Sequence, residues 1–169
     1  MPLLRDYIAE HERAVNLGGA AVRALDAGDP SRARELLAAM AEELASHWRG
    51  EEGGLFAVME KDELFAEHIA PLVREHRELA GLLESADLSD LDDQDRVRHA
   101  VDDLHEHIAK EEDGLFPASL TALAGDEWDA AMAAWQQAHP DRQLIADAHP
   151  HNPAGAGDTG PDPRPSGGT

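Results

Sequence analysis

Residues 47–56 read His47-Trp48-Arg49-Gly50-Glu51-Glu52-Gly53-Gly54-Leu55-Phe56, and residues 107–116 read His107-Ile108-Ala109-Lys110-Glu111-Glu112-Asp113-Gly114-Leu115-Phe116. His, Glu, Glu, Gly, Leu and Phe recur at six of the ten positions. A second pair precedes each stretch: Glu10-His11-Glu12-Arg13 and Glu75-His76-Arg77-Glu78. The chain is an internal repeat, and each half offers a lone His followed by a His-x-x-x-Glu. Positions i and i+4 of an α-helix lie one above the other on one face. His47 therefore points with Glu51, and His107 with Glu111. The same stripes carry Leu44, Leu55 and Val58 in one half and Leu104 and Leu115 in the other. Carboxylates and imidazoles thus stand where core residues belong, and burying them uncompensated costs several kcal/mol each. A dication supplies the compensation.

Around these stretches the chain reads as all-α, in one domain. The interior is rich in Ala, Leu and Glu, which favour helix, and aromatics are only 4% of the 169 residues. Periodicity and punctuation predict a first helix from Leu3 to Asp26, ending at Ala27-Gly28-Asp29-Pro30. Ser31 is expected to cap a second helix that reaches Met59. A third runs from Glu63 or Leu64 to Ala86, with Pro71 inside it costing a backbone bond or bending it. The polar stretch Asp87–Asp95 reads as a loop before a fourth helix that reaches Phe116, where Pro117 kinks or restarts the chain. Short loops between long helices predict an antiparallel up-down four-helix bundle over residues 1–123. An accessory helix follows over 124–139, with Trp128, Met132 and Trp135 as a core-facing stripe on the bundle end. Residues 140–169 are Pro/Gly-rich and read as a disordered tail, most clearly from Pro150. His139, His149 and His151 in or near it read as solvated.

Composition excludes several classes of function. The formal net charge of −21 disfavours nucleic acid and anionic lipid, both of which need clustered Lys and Arg. With no Cys, disulfides, thiolate nucleophiles, iron–sulfur clusters and Cys-based zinc sites are out. No apolar run reaches the roughly 18 residues of a membrane span, and the start lacks a signal-peptide pattern, so a cytoplasmic location is the expectation. Four imidazoles and two carboxylates suit two metal ions, with two His on each and Glu51 and Glu111 bridging. Mixed N/O ligation favours iron over manganese or zinc. The Glu-x-x-His pattern of ferritin-like carboxylate proteins is not the one present.

With its lone His and His-x-x-x-Glu-Glu-x-x-Leu-Phe in each half, the sequence resembles the hemerythrin-like family of HHE cation-binding domains. The resemblance implies a four-helix bundle around an oxo- or hydroxo-bridged di-iron pair. The implied ligands are His11, His47, Glu51, His76, His107 and Glu111. Oxygen-carrying members have a second His on the third helix; here the positions four from His76 are Leu72 and Ala80, and His68 faces elsewhere. They also place the fourth-helix carboxylate five residues after its His, which makes Glu112 a rival; Glu111 keeps both the repeat and the i,i+4 geometry. The missing His weakens the expectation of reversible oxygen carriage and leaves one iron more open. Tyr7, one turn before His11, reads either as a core tyrosine with a hydrogen-bond partner or as a donor near the metal or a substitute ligand. The expected ligands are O2, NO or peroxide. The alternative is a di-iron oxidoreductase that disproportionates peroxide or oxidises a small substrate with O2, in a monomer or weak homodimer.

Overall fold

The computed structural model describes residues 1–144; the expected tail from Pro150, with His149 and His151, lies outside the described residues. Among the described residues all regular structure is helical. The elements are α1 (Pro2–Asp26), α2 (Pro30–Gly50), a π-helical stretch π1 (Glu51–Phe56), α3 (Ala57–Met59), α4 (Glu63–Ser85), α5 (Leu91–Lys110), a second π-helical stretch π2 (Glu111–Leu115), α6 (Phe116–Ala122) and α7 (Gly125–Ala138). No helix among them is long and apolar enough to cross a membrane.

The helix starts follow side-chain capping. Asp29, not Ser31, caps α2: its carboxylate accepts the Arg32 N–H at 2.9 Å, and Pro30 fits the first turn because it has no N–H to orphan. Asp62 caps α4 through Leu64 N–H in the same way. Asp90 caps α5 through Asp92 N–H, so that helix begins inside the stretch expected to be loop. Asp92 and Asp93 sit well there because acidic side chains complement the partial positive charge of a helix N-terminus. The α1–α2 turn needs a left-handed residue, and Gly28 supplies it at φ 73°. α4 runs on past Pro71, while Pro117 falls in the first turn of α6, where the chain restarts.

α1 packs on α2 and α5, and α4 packs on the same two helices, which closes a ring of the four long segments. Two apolar clusters fill it. One gathers Leu3, Tyr7, Leu55, Phe56, Ile69, Leu72, Leu115 and Phe116 with Trp128 and Trp135 of α7. The other gathers Ala14, Leu25, Leu37, Met40, Leu44, Val97 and Leu104. Along every long segment the repeated His and Glu positions fall between the two clusters. α7 lies against π1 and α2, and its Trp stripe is an intramolecular contact. Glycines permit the close approach: a Cβ on Gly54 would stand 3.0 Å from the Ala131 carbonyl oxygen and 3.2 Å from Ala134 Cβ. Residues 140–144, expected to belong to the tail, instead fold back. Arg142 forms a two-pronged ion pair with Glu43 of α2 at 3.0 and 2.8 Å.

Candidate metal centre

Six predicted donors converge between the clusters: His11, His47, Glu51, His76, His107 and Glu111, all buried. The Nε2 atoms of His11 and His47 lie 3.0 Å apart, and so do those of His76 and His107. Glu111 sits between the pairs, with Oε2 3.1 Å from His11 Nε2 and Oε1 3.0 Å from His107 Nε2. Glu51 Oε2 is 3.5 Å from His47 Nε2 and 3.8 Å from His76 Nε2. Candidate ligand atoms of His11, His47, Glu51 and Glu111 all lie within 4.8 Å of one another, as do those of His76, His107 and Glu111. Glu111 is common to both groups, and Glu51 falls in the His11/His47 group.

The outer face of every imidazole is fixed by a carboxylate from a neighbouring segment. Glu10 of α1 holds His47 Nδ1 at 2.8 Å, and Glu52 of π1 holds His76 Nδ1 at 2.8 Å. Glu75 of α4 holds His107 Nδ1 at 2.7 Å, and Glu112 of π2 holds His11 Nδ1 at 2.8 Å. The four contacts form a closed ring from α1 to α2 to α4 to α5 and back. Each carboxylate accepts a hydrogen bond from Nδ1–H, so each Nε2 turns inward, the tautomer and orientation that metal-binding histidines adopt. Two inward Nε2 atoms at 3.0 Å must then share either a proton or a cation. Two nitrogens about 2.1 Å from one ion at that separation subtend about 90°, so the spacing fits a shared metal.

The carboxylates give the second test of fit. Glu51 and Glu111 are fully buried, and none of their four oxygens has a hydrogen-bond partner, although imidazole Nε2 atoms stand close by. A buried polar atom left this way costs roughly 1–3 kcal/mol, and hard oxygen donors beside imidazoles satisfy a divalent ion. Charges divide accordingly. Burial, then the neighbouring Glu111 charge, pushes the Glu51 carboxyl well up. Burial would raise Glu111 too, but the facing imidazoles of His107, His11 and His76 hold it well below the usual range. Burial lowers His47, with His11 adding to the effect. Burial opposes charging of His11 and His107, yet Glu111 and their outer carboxylates raise both.

Aromatic rings set the imidazole planes. Phe116 stacks on His11 at 5.9 Å, and its repeat mate Phe56 stacks on His76 at 5.9 Å; Trp48 also stacks on His76, at 4.9 Å. Tyr7 is fully buried, meets His47 edge-on at 5.4 Å and donates its hydroxyl to the Gly50 carbonyl at 3.0 Å. That carbonyl belongs to the last residue of α2, just before π1 begins. Burial, then Glu51 and Glu10, holds the phenol well above its usual range, so it stays protonated.

Glu112 is one-third exposed and contacts only the outer nitrogen of His11, whereas Glu111 faces inward. His68 is exposed and donates to the Leu64 carbonyl. The four outer carboxylates were not singled out by spacing, although a signal exists: both halves carry Glu-His (Glu10-His11, Glu75-His76) and Glu-Glu (Glu51-Glu52, Glu111-Glu112). His139 is buried rather than solvated; its Nδ1–H donates to the Trp135 carbonyl at 2.9 Å. A groove of about 590 Å³ runs between α4 and α5 and is lined by Trp48, Glu75, His76, His107 and Lys110 among others. It gives the His76/His107 side a route from solvent.

A model of the hemerythrin HHE cation-binding domain matches residues 3–119. No curated protein and no solved structure matches the chain. The match spans both halves of the repeat, all six inward donors and their four outer carboxylates, and stops before α7. The chain belongs to the hemerythrin HHE cation-binding domain family.

Proposed function

We propose that this chain holds a di-iron centre in an antiparallel four-helix bundle and uses it to bind O2, NO or peroxide. The observation that carries the reading is the donor geometry. Four imidazoles, each tied at Nδ1 to its own carboxylate, aim Nε2 at two buried carboxylates that have no other partner. The closed packing of the four long segments supports the bundle. On this reading His11 and His47 serve one ion, His76 and His107 the other, and Glu51 and Glu111 bridge. When bound, iron in such a site supplies redox chemistry and a coordination position for a small ligand. The protein's part is to orient the ligands, keep bulk water out with Phe56, Phe116 and Trp48, and leave an approach along α4 and α5. Oxygen carriers have a further His one turn from the third-helix ligand; the two positions four from His76 hold Leu72 and Ala80, so the His76 side has fewer protein donors.

The groove favours a second reading, a di-iron oxidoreductase acting on peroxide or on a small substrate with O2. Its volume of about 590 Å³ is in the range of small-molecule sites. Steady-state consumption of peroxide, or of O2 with a reductant, separates the readings: an oxidoreductase turns over many times per centre, and a carrier binds once and stops. For the ligands themselves, Glu111→Ala should lose roughly half or more of the bound iron, because a bridging donor serves both ions. Full iron content in that variant would remove Glu111 from the ligand set.

A further inference from the structure

The repeat makes the two halves of the centre nearly equivalent, but α7 covers only one of them. Gly54 of π1 lies against α7, whereas its repeat mate Gly114 of π2 has nothing within 4 Å of where a Cβ would stand. The difference continues to the outer carboxylates. Glu75, behind His107, is one-third exposed, and its Oε1 is drawn toward solvent by Lys110 Nζ at 2.6 Å. Glu52 and Glu112 are similarly exposed. Glu10, behind His47, is 1% exposed, and both of its oxygens are engaged. Oε2 meets His47 Nδ1 at 2.8 Å; Oε1 accepts the Trp135 indole N–H at 3.1 Å and lies 3.5 Å from Arg142 Nη1, with His139 Nε2 2.9 Å away but not hydrogen-bonded to it. Trp135 and His139 stack on each other at 4.4 Å, so each holds the other in place.

We propose that Trp135 and His139 are positioning residues that act through Glu10 on His47, making the His11/His47 side the tight metal site and the His76/His107 side the labile one. This rests on the metal reading above. A carboxylate pinned at both oxygens cannot swing, so the His47 ring is held in its binding orientation before the ion arrives. Glu75 is also held at both oxygens, but its second contact is a half-exposed lysine on the surface, one that water competes with, and the groove brings solvent to the same histidine. Ion exchange and entry of an external ligand therefore belong to the His76/His107 side. α7 sets which of two similar sites fills first.

The test is an anaerobic ferrous-ion titration of the chelated full chain, with a competing chelator to resolve the steps. Wild type should bind in two unequal steps. Trp135→Phe keeps most of the packing but removes the N–H, and should weaken the tighter step by about 10–100-fold, the usual effect of losing an outer partner of a metal ligand. The weaker step should stay in place, and Glu75→Gln should do the converse. A purely structural role for Trp135 would lower the melting temperature and leave the ratio of the two affinities as in wild type; that result overturns the proposal. Equal steps in wild type also overturn it, whereas absence of any binding refutes the metal reading instead. If Trp135→Phe does not fold, His139→Gln decides by the same criterion, selective weakening of the tighter step.

Discussion

Glu51→Met and Glu111→Met should move the stability of the metal-free protein in opposite directions, although both residues are fully buried carboxylates on the same structural feature of the repeat. Glu51 is driven toward its neutral form by burial and by Glu111, and neither of its oxygens has a hydrogen-bond partner. Removing it relieves an orphaned polar group worth roughly 1–3 kcal/mol, less up to about 1.5 kcal/mol for imperfect packing of the new thioether. A net gain of about 1 kcal/mol corresponds to roughly 2–4 °C in a domain of this size. Glu111 keeps its charge against the imidazoles of His107, His11 and His76. Deleting it strands cationic or desolvated imidazoles, and breaking a buried ionic cluster costs about 3–5 kcal/mol. Thermal melts in chelator and in ferrous iron separate the terms. Wild type should gain about 2.7 kcal/mol at a hundredfold excess over Kd, and both variants should lose most of that gain. A Glu51→Met protein that melts below wild type in chelator, or that keeps the full metal-induced shift, would refute the reasoning.

Three further outcomes follow from the geometry. Metal affinity should rise with pH: His11 and His107 titrate above the usual histidine value and Glu51 above the usual carboxylate value, so protons compete below those values and are released on binding. Calorimetry in buffers of different ionisation enthalpy reads that release, and a pH-independent affinity from pH 6 to 8 would contradict it. Gly54→Ala should cost about 1–3 kcal/mol by forcing its Cβ onto the Ala131 carbonyl, whereas Gly114→Ala, with open space, should be neutral or stabilising by up to about 1 kcal/mol; equal melting temperatures would sink the account of how α7 seats. Tyr7→Phe should destabilise by about 1–2 kcal/mol, because the Gly50 carbonyl loses its donor. It should leave the visible spectrum of the iron-loaded protein unchanged, and loss of a phenolate-to-iron band would instead make Tyr7 a ligand.

The side chains that sequence reasoning paired and the structure brings together are those governed by local helix geometry. His47 with Glu51 and His107 with Glu111 were legible because i and i+4 share a face, and the repeat doubled the signal. The third helix and α7 were legible from punctuation at both ends. The outer carboxylates were not, because Glu10, Glu52, Glu75 and Glu112 each reach to a histidine on another segment, and spacing within one helix carries no information about its neighbour. The π turns escaped for a related reason: a 3.6-residue period describes their flanks, and only Gly53-Gly54 and Gly114 hint at the change of pitch. His139 was read from the Pro/Gly composition that follows it, yet its environment is set by Trp135 one turn before and by Glu10, distant in sequence. The cap of α2 was misplaced by two residues because Ser31 and Asp29 are both good caps, and Pro30 decides between them.

The most direct measurement is metal content per chain by elemental analysis, with the absorption spectrum recorded before and after peroxide. The proposed di-iron centre predicts about two irons per chain and an oxo-bridge band in the near ultraviolet that changes on adding peroxide. Protein from iron-replete cells that carries no iron, or a single ion insensitive to Glu111→Ala, would contradict it.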